Sequence, residues 1–370
     1  MVLELVNITK TFSGFVIGPL NLKIADDDIL VMIGPTGNGK TTILNLIMGL
    51  IKPDSGSIFL NGMNITNMPV ESRNIGYLFQ RPSLFPFMNV YENITFGLKK
   101  EDKKKKDFQI KMLLENLGIS HLINRGIQGL SGGEMQKISL ARTLIIQPKI
   151  MLMDEPLANL DDPTKRKLRV EIRQVLKKQK ISCIYVTHFE DDVYALADSV
   201  AILKNGRIDR LDKLGTLLSY SNHSSSPFLS DILDGGYNYI EGNVVESKNG
   251  VTKIRTGSHI LEMMGNHSIG SMIGVLVRPE DIILSVEMVK TSARNVIKAK
   301  IKNITNTKTA ATGFVDIHLV IGDFFLVSKI TNESRNYLGI EEGDYVYAMF
   351  KATSPQVIRE GKWVNEDNRI

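Results

Sequence analysis

Three short stretches of this chain carry groups suited to holding and cleaving a phosphoanhydride. Gly34-Pro35-Thr36-Gly37-Asn38-Gly39-Lys40-Thr41, with Thr42 after it, follows the apolar run Ile29 to Ile33. The spacing is G-x-x-x-x-G-K-[ST] between a strand and a helix, in which glycines let successive backbone N–H groups wrap phosphate oxygens. The helix that begins near Lys40 adds its positive end. In that frame Lys40 reaches the β and γ phosphates and the Thr41 hydroxyl ligates magnesium. The second stretch, Ile150-Met151-Leu152-Met153-Asp154-Glu155-Pro156, is an apolar run ending in paired carboxylates. That order lets Asp154 hold the metal while Glu155 orients or deprotonates the attacking water. The third, Leu130-Ser131-Gly132-Gly133-Glu134, precedes a helical pattern from Met135 to Leu144 and offers a second glycine-backed helix N-terminus for phosphate.

These groups need elements to aim them. Apolar runs rich in β-branched residues, Ile29 to Ile33, Ile150 to Met153 and Ile181 to Thr187, alternate with longer helical patterns through roughly the first 220 residues. The alternation predicts an α/β domain with a mainly parallel sheet. Its clearest helix follows Pro163, where Leu168, Ile172, Val175 and Leu176 share one face and the other face is expected to be wet. The stretch from Ser219 to Pro227 breaks every periodicity and reads as a linker or its edge. Beyond it Ile297, Ala299 and Ile301 alternate with Lys298, Lys300 and Lys302, and Val315, Ile317 and Leu319 flank Asp316 and His318. A period of two means a sheet with one wet face, and the turn signals between such runs predict a small all-β, OB-like barrel or a pair of barrels. We therefore place a nucleotide unit at 1–222, a helical subdomain in it at about 81–145, a linker at 223–236 and the all-β unit at 237–370.

Composition narrows the remaining classes. With 370 residues, 43% hydrophobic and 23% charged, the chain is neither disordered, collagen-like nor a coiled coil. Its apolar runs are much shorter than the roughly 20 residues that span a bilayer, and its start lacks the features of an export signal. A cytoplasmic protein is expected. The one cysteine, Cys183, excludes an intrachain disulfide or a multi-thiolate zinc site and reads as a small core residue. A net charge of +5, from 45 bases and 40 acids, selects no partner class. The densest basic run, Lys103 to Lys106, is expected on a solvated helix face or loop.

Taken with the P-loop and the Asp154-Glu155 pair, the Leu130 to Glu134 stretch resembles that of the ATP-binding cassette (ABC) ATPases, and the resemblance covers essentially residues 1 to about 220. It implies ATP and Mg2+ as cofactors and a homodimer. In that dimer Ser131, Gly132, Gly133 and Glu134 would close in trans on the γ-phosphate held by the other subunit. The resemblance further implies that Gln80 senses magnesium and the attacking water, that His188 contacts the γ-phosphate, and that Phe12 stacks on adenine, with Phe15 a competing ring. Two residues depart from the family pattern: Glu134 stands where glutamine is commonest and Ala158 where serine is usual. On the sequence alone neither touches the phosphate chemistry, although coupling between subunits through Asp161 could be altered.

Leu84, Phe85 and Phe87, beside Pro82 and Pro86 in the run from Gln80 to Ile94, are similar to the surface on which importer ATPases receive a permease's coupling helix. That implies separate membrane permease subunits, an extracytoplasmic substrate-binding protein acting indirectly, and a peripheral position on the cytoplasmic face of the membrane. No nucleic-acid partner is expected, because members acting on nucleic acids carry long coiled-coil insertions or tandem cassettes and this chain has one P-loop and no heptads. Gly274 to Asp281 resembles the start of the accessory barrel of sugar and oxyanion importers. Ser292 to Val296 and Leu338 to Thr353, within about 290–358, resemble the small molybdate-binding (TOBE-like) barrels. A tetrahedral dianion needs donors, and Ser292, Arg294, Asn295, Lys351 and Thr353 are the candidates. The expected function is an ATP-hydrolysing translocase subunit of a molybdate or tungstate importer, whose C-terminal domain senses the oxyanion and inhibits transport. The alternative is a sugar, polyol, sulfate, phosphate or ferric-ion importer ATPase with a purely structural barrel.

Overall fold

A computed structural model of the chain describes residues 1–214, 238–306, 313–322 and 324–361. The linker expected at 223–236 and the Ser219 to Pro227 stretch lie outside these. The chain divides into two compact units, Met1–Leu217 and Leu218–Ile370.

The first unit is built on a six-stranded sheet. Five strands run parallel: β3 (Ile29–Ile33), β6 (Ile75–Leu78), β7 (Ile150–Asp154), β8 (Ser182–Thr187) and β9 (Ser199–Lys204). An antiparallel edge strand, β10 (Arg207–Lys213), completes the order β10-β9-β3-β8-β7-β6. Every residue of β3 and β8 is buried, as strands covered on both faces must be. Cys183 lies among them as a core residue, its thiol pushed up by burial. An antiparallel sheet of β1 (Leu3–Phe12), β2 (Phe15–Ile24), β4 (Ser55–Leu60) and β5 (Met63–Asn64) packs its Ile8, Ile17 and Leu22 into the same core as Leu30, Met32, Leu152 and Ile184.

Helix α1 (Lys40–Met48) contributes Ile43, Leu44 and Ile47 to that core, each worth roughly 1.5–3 kcal/mol of burial. Three small helices follow β6: α2 (Val90–Thr95), α3 (Lys100–Lys105) and α4 (Asp107–Asn116). Next come α5 (Gly132–Leu144), α6 (Asp162–Gln179) and α7 (Glu190–Leu196). Two sequence expectations need correction here. The basic run is not simply solvated, because Lys106 Nζ donates to the carbonyl of Ile145 at 2.9 Å. The polar face of α6 is not simply wet either: Lys165 and Arg169 are buried beside Leu168 and Ile172.

The second unit contains two five-stranded antiparallel sheets over one core. The first, in the order β13-β12-β11-β14-β20, comprises β11 (Asn238–Lys248), β12 (Val251–Thr256), β13 (His259–Met264), β14 (Met272–Val277) and β20 (Gln356–Gly361). The other, ordered β15-β19-β16-β17-β18, comprises β15 (Ile283–Ser285), β16 (Asn295–Asn306), β17 (Phe314–Ile321), β18 (Phe324–Thr331) and β19 (Tyr345–Phe350). The period-two expectation is met: Ile297, Ala299 and Ile301 are buried while Lys298, Lys300 and Lys302 face solvent. The last strand, β20, returns to pair with β14, so the sheets share one core rather than forming two separate barrels.

Candidate functional site

Phe12, Phe15, Thr36, Gly37, Gly39, Lys40, Thr41, Thr42 and Glu155 line a cleft of about 310 Å³ at the end of the parallel sheet. Gly39 starts α1 in the left-handed conformation, φ 91°, and a Cβ there would come within 2.8 Å of Ile17 and 3.2 Å of the Phe15 ring. Glycine is required by both conformation and space. At the other end of the loop, a Cβ on Gly34 would meet the Leu203 carbonyl oxygen at 2.3 Å. The same contacts separate the two rings: Phe15 packs against the core under the loop, whereas Phe12 is 38% exposed and free to stack.

Lys40 is buried, and its Nζ donates to the carbonyls of Gly34 at 2.6 Å and Pro35 at 3.0 Å. Burial lowers its pKa, while Glu155 and Asp154 oppose the shift. The side chain of Asn38, expected among the phosphate-binding residues, faces elsewhere. It donates to the Pro35 carbonyl at 3.3 Å and accepts from the backbone N–H of Asn205 at 3.1 Å, tying the loop to the turn between β9 and β10. What Asn38 can offer a phosphate is its backbone.

Asp154 ends β7 half-buried, accepting from Thr41 Oγ1 at 3.1 Å and from the Tyr77 hydroxyl at 3.4 Å. Burial pushes its carboxyl up; the Thr41 bond counters that, Glu155 adds to it, and Tyr77 and Lys40 pull the other way. Tyr77, one strand over on β6, was not singled out by sequence. A hydroxyl and a carboxylate in contact are hard oxygen donors of the kind Mg2+ takes, so these two residues fit the ion. Among the described residues no group of three or more His, Cys, Asp and Glu could hold a metal alone, so remaining ligands would have to come from phosphate and water.

Glu155 follows with φ 43°, a conformation that non-glycine residues seldom adopt. Its backbone N–H donates to the Val186 carbonyl at 3.0 Å, and its Oε1 lies 2.9 Å from His188 Nδ1. The carboxylate thus faces the cleft with an imidazole oriented against it, a pair able to take a proton from water and keep the base in place. Gln80 is exposed just past β6, whose Leu78 pairs with Met153, so it lies at the same end of the parallel strands as Asp154. No hydrogen bond holds its side chain among the described residues.

Ser131, Gly132, Gly133 and Glu134 do not line this cleft. Ser131 is the N-cap of α5 in a full capping box. Glu134 Oε2 accepts from both the Ser131 backbone N–H and the Ser131 hydroxyl at 2.8 Å, while Ser131 Oγ accepts from the Glu134 N–H at 3.3 Å. Those bonds hold the Glu134 carboxyl below its usual range. Glu134 thus occupies the hydroxyl that the family resemblance assigns to phosphate in trans.

The permease-like surface stands open. Phe87 is 97% exposed, and Phe85 stacks on Phe96 at 4.3 Å with the Arg142 guanidinium 5.2 Å over its ring. Asn93 pins this stretch, accepting from the Phe85 N–H at 2.8 Å and donating to the Phe85 carbonyl at 3.1 Å. In the second unit Asn295 pairs with Phe350, which brings 292–294 and 351–353 to one end of the β16/β19 pair. Ser292, Arg294, Lys351 and Thr353 are exposed there. Asn295, by contrast, is buried, accepting from the Glu262 N–H at 2.7 Å and donating to the Glu262 carbonyl at 2.9 Å.

Comparison with known proteins covers both units. Residues 17–158 match the family model described as ABC transporter, and residues 291–355 match the TOBE domain. The molybdate/tungstate import ATP-binding protein of Pyrococcus horikoshii is 37% identical over 357 residues, 96% of this chain and 99% of that protein. Its namesake from Pyrococcus abyssi is 36% identical over 360 residues, again 96% and 99% of the two chains. A solved ATP-binding cassette of an ABC transporter matches with a TM-score of 0.56 and 27% identity, covering 63% of this chain and 99% of its own.

Proposed function

The chain belongs to the ABC transporter family, and we propose that it is the ATP-hydrolysing subunit of an importer for molybdate- or tungstate-type oxyanions. The observation that carries this reading is that similarity to molybdate/tungstate import proteins runs through both units, C-terminal sheets included.

In this reading residues 1–222 form the nucleotide unit, with a helical subdomain at about 81–145, and 237–370 form the sensing unit. Phe12 stacks on adenine. The backbone from Gly34 to Gly39 and the first turn at Thr41 and Thr42 donate to phosphate oxygens, and Lys40 turns from its two carbonyls to the β and γ phosphates. Thr41 and Asp154, with Gln80 from the same end of the parallel strands, would hold Mg2+, which would neutralise charge on the transferred phosphoryl group. Glu155 takes the proton of the water attacking γ-phosphorus, and His188 keeps that carboxylate aimed while facing the γ-phosphate. Ser131 and Gly133 of a second copy close the site in trans. Among the described residues no helix is long and apolar enough to cross a membrane, so separate permease subunits would supply the path. They would dock on the exposed Phe85 and Phe87. That places the protein peripherally on the cytoplasmic face, acting indirectly with an extracytoplasmic substrate-binding protein.

Calorimetric titration of the full chain with molybdate, tungstate, sulfate and maltose tests the cargo. Saturable binding of molybdate and tungstate, with no heat from sulfate or maltose, is expected. No saturable binding of either oxyanion would leave the C-terminal unit purely structural and favour the alternative cargo class.

A further inference from the structure

The turn that carries His188 is gripped by a buried charged cluster for which the chemistry above has no use. Thr187, the last residue of β8, is fully buried. Its hydroxyl accepts from the Phe189 N–H at 3.0 Å and donates to Asp192 Oδ2 at 2.6 Å. Residues 187–189 therefore close around one hydroxyl, with His188 at the tip. Asp192 is 1% exposed, and its carboxylate also accepts from the Tyr185 hydroxyl at 3.2 Å and from Arg169 Nε at 2.6 Å. A carboxylate so completely withdrawn from water is tolerated only with such a complement of donors.

Arg169 and Lys165 both stand on α6, one turn apart, and each reaches the histidine turn by a different route. Arg169 acts through Asp192 and Thr187. Lys165 lies with its ammonium 4.3 Å over the Phe189 ring, which in turn stacks on the His188 ring at 4.0 Å. Helix α6 itself begins at Asp161, whose side chain caps it by accepting from the Thr164 N–H at 3.2 Å. The helix that starts from the loop of Ala158 to Asp161 thus holds the histidine turn on two sides.

We propose that Asp192 is a positioning residue for ATP hydrolysis: through Thr187 it fixes the turn that sets His188 against Glu155, and through Arg169 it ties that turn to α6. The inference rests on the roles proposed above for His188 and Glu155. It predicts that movement of the loop before α6 reaches His188 through Arg169 and Lys165, so that the base is aligned only when α6 is in place. Nucleotide binding, which uses α1 and the loop before it, is independent of this cluster.

Steady-state ATPase assays on the full chain, with nucleotide affinity and thermal melting measured alongside, test the idea. Thr187→Val removes the hydroxyl at constant shape and should lower kcat about tenfold with little change in the KM for ATP. Thr187→Ser keeps the hydroxyl and should restore most of the rate. Asp192→Asn should resemble Thr187→Val; because it leaves Arg169 partly uncompensated, the Thr187 pair carries the test if that variant does not fold. Adding Thr187→Val to His188→Ala should cost nothing further, since the residue to be positioned is already gone. Undiminished kcat in Thr187→Val, or additive losses in the double variant, would overturn the positioning role. If His188→Ala alone keeps the parent rate, the histidine assignment beneath the inference has failed instead.

Discussion

Two helix N-termini of this chain are assigned to the same γ-phosphate, and they are built in opposite ways. Helix α1 starts from a left-handed Gly39 with no side-chain cap and no acidic residue in its first turn, and a buried lysine is its first residue. Its leading N–H groups have no side-chain substitute for phosphate. Helix α5 starts from Ser131 in a capping box whose Glu134 carboxylate already takes the Ser131 N–H and hydroxyl. An acid in the first turn stabilises the helix itself but offsets its attraction for an anion. The contrast separates an end that waits for phosphate from one that must give up an internal partner to reach it. This suits a nucleotide that binds first to one subunit and recruits the second.

The largest effect should come from Glu155→Gln. Losing the carboxylate that polarises water should cost about 100-fold or more in kcat while ATP binding persists. ATP should then stay clamped between the two helix ends, which makes the α5 contribution measurable as an ATP-dependent dimer in analytical ultracentrifugation. A variant that still turns over at near the parental rate would remove Glu155 from the base role.

Next in size is Lys40→Ala, which takes the cation from the α1 end. Charge-assisted bonds to phosphate are roughly twice as strong as neutral ones, and a loss of about 10- to 100-fold in ATP affinity by titration calorimetry is expected. Unchanged affinity would mean that backbone N–H groups alone define the α1 end, and the contrast between the helices would lose half its basis.

A stability prediction bears on the frame that holds both ends. Asp198, just before β9, bridges β3 to α6, accepting from the Ile29 N–H at 2.9 Å, Lys177 Nζ at 2.5 Å and Arg173 Nη2 at 2.7 Å. Burial pushes its carboxyl up, but Arg173 and Lys177 outweigh it and hold the group at about 2, below its ordinary 3.8. A depressed folded-state value contributes stability that is full above the unfolded value and lost as pH falls from there through the folded one. Asp198→Asn should therefore cost about 2 kcal/mol at neutral pH, with the gap from the parent closing between roughly pH 4 and 2. Urea melts across that range check it. Glu246→Gln in the second unit, which loses only the exposed pair with Lys253, should melt as the parent does.

The α1 end was legible in the sequence because strand, glycine loop and helix are contiguous and their geometry is local. Asp154 and Glu155 were legible for the same reason, at the end of an apolar strand. What escaped were side chains whose partners lie far along the chain. Asp192 meets Arg169 across 23 residues, on a helix face that amphipathic reading assigns to water. Asn295 meets Glu262 across 33, on a strand of the other sheet, and so is buried and engaged where the sequence offers it as a free donor. Tyr77 reaches Asp154 across 77. The box at Ser131 and Glu134 is the exception: its S-x-x-E spacing is local and in plain view, yet the same glutamate is also a departure from the family motif, which masks its role as a cap.

That cap supports the smallest and most discriminating prediction. Closing the signature end on a γ-phosphate requires the Ser131 hydroxyl to leave Glu134 Oε2 and places a carboxylate near a polyanion. Before closure, its bonds to Ser131 hold the Glu134 carboxyl below the usual range, so the approaching phosphate meets a carboxylate. Glu134→Gln keeps an oxygen acceptor for Ser131 but removes the charge. In the Glu155→Gln background it should tighten the ATP-dependent dimer by about tenfold or less, the scale of a coupling near 1 kcal/mol. The gain should shrink with salt as the repulsion is screened. Intrinsic ATP affinity of the isolated subunit, set at α1, should not move. A dimer no tighter than the parent's would mean that the capping box survives closure and that the two helix ends are not opposed. Loss of the dimer altogether would show the carboxylate to be part of the closed interface, reversing the assignment of which end yields.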